Sequence, residues 1–364
     1  MSELERKYLV SLEGIVNDLS TNNLFDTQIA ASKLGKEVIL SKDGDKCFIA
    51  TNKAEYSGSV NNQGDVFLYI YNSSSRTWSY SQSFYGLAQS DLSGHNFGSG
   101  AYPMFFGESL CCNNDVTLLF VGIPGFNTSN TNHGGVCIFE YSNSSWSLKQ
   151  IITNLDGNNS QILANNKMGA SLACSNDGSR LFVGTDANYT NSFVHKYDLA
   201  NGVYSKDTNF DIKPTLSYTA ANGNFGTSID CNSNGSRLFV ASDNFAKQFN
   251  SSTYYSGSVH IYEESGGNWS LLKELFNDIS NNPPYSGSVI ANGSEIGKDI
   301  SVSNDGSRLI VSTMLTGASS KTGVIYYFEY DNNSSNYVYK DNIISPRFNT
   351  IGKPFGHKLK MSYD

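Results

Sequence analysis

The stretch Ser175-Asn176-Asp177-Gly178-Ser179-Arg180-Leu181-Phe182-Val183-Gly184 decides the fold, because near copies recur at 232–241 and 303–312. Weaker copies stand at 41–50 and at 113–122, where Val116 replaces the turn glycine. Each copy reads as a β-hairpin: Asp-Gly or Asn-Gly lies between short apolar runs rich in Val, Ile and Phe. Glycine supplies the positive φ that the tight turn needs. Upstream of each turn, at a fixed offset, stands another glycine: Gly35, Gly107, Gly169, Gly226 and Gly297. Apolar residues follow it at the third and fifth positions: Val38 and Leu40, Leu110 and Cys112, Leu172 and Cys174, Ile229 and Cys231, Ile300 and Val302. A period of two is a strand with one buried face.

The leading glycines are 72, 62, 57 and 71 residues apart. Each interval holds four strands, which in the first repeat run through Val38 to Leu40, Cys47 to Thr51, Val66 to Tyr71 and Trp78 to Gln82. The third strand is marked by a small residue two places before an apolar one: Gly64 and Val66, Gly134 and Val136, Ser192 and Val194, Gly257 and Val259. In the fifth repeat Gly323 and Val324 take this place. Trp78, Trp146 and Trp269 open the fourth strand, with Tyr204 and Tyr337 standing in elsewhere, so the tryptophans read as scaffold. His195 and His260 share a third-strand position with Phe67, Cys137 and Ile325 and read as packing residues. Four-stranded units of this size, each burying its neighbour's face, make an all-β chain, a β-propeller of four-stranded blades. Residues 1–364 are expected to form one propeller domain.

The two ends complete the expectation. Phe355-Gly356 is followed by Leu359 and Met361 at the third and fifth positions, like a first strand, and Lys7 to Val16 resembles a fourth strand. Five complete repeats plus an incomplete sixth formed by the termini are therefore expected, since closure by both ends leaves no free edge. The incomplete blade would offer an edge for self-association.

Aromatic content of 13% and only 7 prolines suit a strand-rich core. The net charge of -8 has no basic stripe, which argues against nucleic-acid binding. No run approaches a membrane span, and Met1 to Lys7 lacks the pattern of a signal peptide, so cytoplasmic synthesis is expected. The sequons, such as those at Asn72, Asn143, Asn188 and Asn268, follow from heavy Asn and Ser usage. The cysteines, Cys47, Cys111, Cys112, Cys137, Cys174 and Cys231, show no C-x-x-C spacing and read as small buried hydrophobes.

Phe106-Gly107, Phe225-Gly226 and Phe355-Gly356, with Phe120-Val121-Gly122-Ile123-Pro124 and Gly257-Ser258-Val259, resemble the FG-GAP repeats of integrin-α-type propellers. The resemblance spans nearly the whole chain and implies a propeller. It departs at the calcium loop: Asp177 and Asp305 are single carboxylates in their turns, too few hard oxygens for a calcium site. No metal and no cofactor are expected.

No nucleophile elbow, phosphate loop or zinc motif occurs. The long loops fall at 52–63, 123–133, 243–256 and 313–321, and at 85–105 and 277–295, on the face opposite the Asp-Gly turns. They are rich in Tyr, Asn, Ser and Gly, a composition suited to recognition. The expected function is therefore a non-catalytic binding or scaffold propeller, not an enzyme. It would recognise protein or glycan through Tyr56, Phe97, Tyr102, His133, Tyr189, Tyr255 and Tyr285. One alternative is a structural subunit of a virion or other particle. The other is a glycoside hydrolase using channel carboxylates, for which Glu37, Asp230 and Asp299 on first strands are the candidates.

Overall fold

A computed structural model describes residues 35–51, 64–85, 87–88, 104–126, 133–153, 167–185, 192–210, 212, 223–249, 252–276, 295–317, 320–344 and 355–361. They form five four-stranded antiparallel blades of a β-propeller. Blade 1 is β1 (Val38–Leu40), β2 (Lys46–Thr51), β3 (Asp65–Asn72) and β4 (Thr77–Ser83). Blade 2 is β5 (Leu110–Cys112), β6 (Leu118–Gly122), β7 (Gly135–Ser142) and β8 (Ser145–Thr153). Blade 3 is β9 (Met168–Cys174), β10 (Arg180–Thr185), β11 (Val194–Ala200) and β12 (Val203–Lys206). Blade 4 is β13 (Phe225–Cys231), β14 (Arg237–Ser242), β17 (Ser258–Ser265) and β18 (Asn268–Glu274), with a separate hairpin, β15 (Ala246–Phe249) and β16 (Ser252–Tyr255), between its second and third strands. Blade 5 is β19 (Ile300–Val302), β20 (Arg308–Gly317), β21 (Ser320–Asp331) and β22 (Asn336–Ile344). The chain divides into two compact units, Met1–Ala170 and Ser171–Asp364.

The turn motif folds the same way five times. Its first residue, Ser or Asn, accepts the backbone N–H five residues on: Lys46 N to Ser41, Leu118 N to Asn113, Arg180 N to Ser175, Arg237 N to Asn232 and Arg308 N to Ser303, at 2.8–3.0 Å. Its third residue accepts the N–H two on, as Ser179 N to Asp177 at 2.9 Å, Ser236 N to Asn234 at 3.0 Å and Ser307 N to Asp305 at 2.9 Å. These side chains cap the bend where the ladder cannot. Hydrogen bonds from Ser303 and Ser307 hold the Asp305 carboxyl down to about 2.

Within each unit, blades pack by one recurring contact. A fourth-strand aromatic meets, edge-on, the second-strand phenylalanine of the preceding blade: Trp146 on Phe48 at 5.9 Å, Trp269 on Phe182 at 5.8 Å and Tyr337 on Phe239 at 5.6 Å. Each such pair adds about 0.5–1.5 kcal/mol beyond its buried area. Tyr337 does stand in for tryptophan, and its hydroxyl also donates to the carbonyl of Gly306.

The third-strand register of blade 5 differs from the expectation. His195, His260, Cys137 and Phe67 lie opposite Val183, Val240, Val121 and Ile49, but Val311 faces Tyr326 and not Ile325. Gly323 stands two places before Ile325, so the small-residue rule itself selects Ile325 as the counterpart of Val259. Two expected loops are also sheet. Residues 243–256 hold β15 and β16, and β20 and β21 run on to a Gly317–Ser320 pair.

The incomplete sixth blade is not found in the form expected. Phe355 to Met361 carries no ladder pairing, and Lys7 to Val16 lies outside the described residues.

Candidate functional site

The first-strand carboxylates hold neighbouring strands together. Asp299 accepts from Ser228 Oγ at 2.9 Å and from the backbone N–H of Leu359 at 2.6 Å. Asp230 accepts the N–H of Val302 at 3.0 Å, and its other oxygen takes the N–H of Cys231 at 2.9 Å. Ser228 and Ser301 serve the same purpose, accepting Ile300 N at 3.3 Å and Met361 N at 3.0 Å. Ser109 and Ser171 instead donate to the carbonyls of Gly169 and Gly226, at 2.8 and 2.6 Å. Parallel first strands of adjacent blades share no ladder, and these side chains bridge the gap. The oxygens of Asp230 and Asp299, the candidate channel carboxylates, are thus engaged by main-chain and hydroxyl donors. Glu37 directly precedes β1 and passes its own carbonyl to Ala50 N at 2.9 Å.

Of the candidate recognition residues, His133 is buried at 4% exposure, and burial pushes its pKa down. Tyr255 ends β16 opposite Ala246. Tyr56, Phe97, Tyr102, Tyr189 and Tyr285 lie outside the described residues.

A different group of side chains converges where the long connections join blades 4 and 5. Lys298, directly after the leading glycine, places Nζ 3.1 Å from Asp243 Oδ2 and 3.2 Å from Glu295 Oε2. Asn224 Nδ2 donates to Asp243 Oδ1 at 3.0 Å. Asp243, directly after β14, has a side chain only 9% exposed, while Lys298 and Glu295 keep 29% and 24%. Burial works to lower the Lys298 pKa, but the charges and hydrogen bonds of Asp243 and Glu295 more than offset it, so the ammonium holds its proton above the usual lysine value.

The backbone fixes this cluster. Glu295 and Asn224, each two residues before a leading glycine, have φ of +46° and +63°, and Phe105 and Lys167 hold the same place at +55° and +47°. A four-residue turn follows, closed by Lys298 N to Glu295 O at 3.1 Å and Thr227 N to Asn224 O at 3.0 Å. Its glycine, Gly297 or Gly226, takes the positive φ that a type II turn needs at its third residue. The turn folds Glu295 back onto Lys298. Sequence reasoning missed the cluster because no motif spans residues 224 to 298, yet one signal was present. A charged residue directly follows the leading glycine in three repeats, Lys36, Glu108 and Lys298, and in unit 1 the first two form an ion pair at 2.7 Å.

At the opposite end of unit 2 the turns are closed upon one another. Asn176 N donates to Ser233 O and Ser233 N to Asn304 O, both at 2.7 Å, and Asn176 Nδ2 donates to Asn304 Oδ1 at 2.9 Å. The Asp305 oxygens there are taken by the hydroxyls of Ser303 and Ser307 at 2.6–2.8 Å. Millimolar calcium is therefore expected to leave the melting temperature unchanged. A clear rise that chelation reverses would show a site where none is expected.

No protein-family model matches the chain, and no curated protein sequence matches it, so the FG-GAP likeness stays a resemblance. Solved structures of similar fold include a Bacteroides uniformis protein described as a candidate 6-phosphogluconolactonase, at 10% identity and TM-score 0.49, covering 85% of this chain and 72% of that one. A Pseudomonas aeruginosa periplasmic gluconolactonase follows at 14% identity and TM-score 0.47, covering 85% and 72%. A GH74 enzyme of Niastella koreensis has 14% identity and TM-score 0.46, covering 84% of this chain and 38% of that one. These neighbours carry the names of hydrolytic enzymes. That finding stands against the expectation of a non-catalytic binding or scaffold propeller that is not an enzyme.

Proposed function

We propose that the chain is a hydrolase of small carbohydrate lactones or esters, working at the Asp243–Lys298–Glu295 cluster. The observation that carries this reading is a lysine cation held between two carboxylates at the loop-bearing end of blades 4 and 5. Acyl hydrolysis needs a base for the attacking water and a positive group for the oxygen that becomes an anion. In this assignment Glu295, the more accessible carboxylate, takes a proton from water as the water oxygen bonds to the carbonyl carbon. Lys298 faces the developing oxyanion, and Asp243 orients Lys298. The ring C–O bond then breaks, and the proton passes from Glu295 to the departing alkoxide.

A second reading, a retaining glycosidase, is favoured by one distance. The Asp243 and Glu295 oxygens at 3.1 and 3.2 Å from the same Nζ are at most about 6.3 Å apart, below the roughly 6.5–9.5 Å of an inverting pair. The ion pairing weighs against it, since a retaining site needs one carboxylic acid with a proton to give.

Two finer structural readings go with this proposal. We read the repeats as FG-GAP-like on Phe106-Gly107 and Phe225-Gly226. We read 355–361 as standing in a sixth first-strand position, supported by the docking of Leu359 and Met361 on Asp299 and Ser301.

The test is a panel of aldonolactones, sugar esters and aryl glycosides. Lactone or ester turnover is expected, falling about 100-fold or more in Lys298→Met and Glu295→Gln. Glycoside turnover alone would move the assignment to the second reading. No turnover of any member, or full activity in Lys298→Met, would sink it.

A further inference from the structure

We propose that Asn224 is a positioning residue of this site: its amide locks the Asp243 carboxylate so that Oδ2 stays aimed at Lys298. The inference rests on the hydrolase reading above and adds a residue whose role there is indirect. Its geometry is a relay of two contacts, Asn224 Nδ2 to Asp243 Oδ1 at 3.0 Å and Asp243 Oδ2 to Lys298 Nζ at 3.1 Å. A carboxylate is free to rotate about its last torsion and to exchange its oxygens. A donor fixed on one oxygen removes that freedom.

What fixes the donor is the backbone. Gly223 and Asn224 both have positive φ, +53° and +63°. The corner they make is fastened to the segment that carries Asp243: Asn244 N donates to Gly223 O at 3.1 Å, and Phe225 pairs with Ser242. A Cβ on Gly223 would lie 2.3 Å from the Cα of Phe245, so the two segments are as close as their backbones allow. The amide therefore reaches Asp243 from a rigid base.

The bland alternative is that asparagine stands here only because it tolerates a left-handed backbone. The other blades argue against that. Phe105, Lys167 and Glu295 hold the same place with the same sign of φ, although such a conformation costs a side chain about 1 kcal/mol or more. Backbone tolerance does not select the residue at this position, so the asparagine in blade 4 is selected by what its side chain meets. Nearby, Phe225 and Phe245 close on His260 at 5.7 and 5.0 Å and fill the space behind the corner with rings. The amide is the polar group that this corner turns toward Asp243.

The test uses Asn224→Gly, which keeps the left-handed corner and removes the amide, and Asn224→Asp, which keeps the reach and replaces the donor by an acceptor. Both are expected to lower kcat on the preferred lactone by roughly 10- to 100-fold while KM changes by less than about twofold. A second readout needs no turnover. The rate at which an amine-reactive acylating reagent labels Lys298, followed by mass spectrometry at about pH 9, is expected to rise several-fold in Asn224→Gly as the ion pair loosens, and not in Asn224→Asp, whose added carboxylate favours the ammonium. Unchanged labelling in Asn224→Gly would overturn the proposal. So would a kcat loss matched by loss of folded protein in thermal melts. If the wild type turns over no substrate, the hydrolase reading fails, and the labelling still decides whether Asn224 holds the pair.

Discussion

Gly122→Val is expected to leave little folded protein, lowering stability by at least about 3 kcal/mol and the melting temperature by on the order of 10 °C. A Cβ at Gly122 would stand 2.1 Å from the carbonyl oxygen of Gly169 and 2.4 Å from Ser109 Oγ. Neither can yield, because the Ser109 hydroxyl donates to that same carbonyl and so fixes the next blade's leading turn. Gly184 repeats the arrangement, with its Cβ 2.1 Å from Ser171 Oγ and 2.4 Å from the Gly226 carbonyl. In blades 1 and 4 the equivalent residues are Ala50 and Ala241, and in blade 4 the first-strand serine, Ser228, donates to Asp299 instead. The double variant Ser109→Gly with Gly122→Ala should therefore be less harmed than Gly122→Ala alone. Thermal melts of the three variants check both points. Equal melting temperatures for Gly122→Ala and wild type would refute the packing argument.

Asp65→Ala is the second substitution with a large expected effect, roughly 3–5 kcal/mol. Asp65 is fully enclosed, and its carboxylate receives the N–H of Val66 at 2.6 Å, the N–H of Tyr85 at 2.9 Å and the hydroxyl of Ser83 at 2.6 Å. Removing it strands a buried main-chain donor at Tyr85, where the chain leaves blade 1, and opens a polar void. Blade 4 solves the same problem with the partners exchanged, Ser258 on the third strand donating to Glu274 on the fourth at 3.1 Å. Urea unfolding of Asp65→Ala, compared with Asp65→Asn, measures the loss. Asparagine keeps an acceptor and should recover part of it, and an alanine variant as stable as wild type would contradict this account.

The sequence made the blades legible for a physical reason: each is a local object with its own turn, its own period of two and its own aromatic at a fixed place. The rule that a small residue precedes an apolar one by two even contained the right register for blade 5. By that rule Gly323 points to Ile325, which pairs with Ser312, and not to the adjacent Val324. The candidate site was not legible in the same way. Asn224, Asp243, Glu295 and Lys298 come from four separate stretches, and only the fold brings them together. The partners of Asp230 and Asp299 were not legible either, because a carboxylate on a first strand looks alike in sequence whether it meets water or a neighbouring N–H. The burial of His133 was equally hidden, since a loop histidine gives no sign that it will be enclosed.

The closed turns of unit 2 bear on the order in which it assembles. Asn176 and Asn304 are 128 residues apart, and their contact passes over an entire intervening blade. Closing so long a segment is entropically costly, so this bond forms after the local hairpins and after blade 4 has docked on both neighbours. An interaction made that late is absent from the folding barrier and present in the unfolding one. The small polar knot at the turns therefore acts as a latch on lifetime: it does little to hasten the folded state and much to delay its loss.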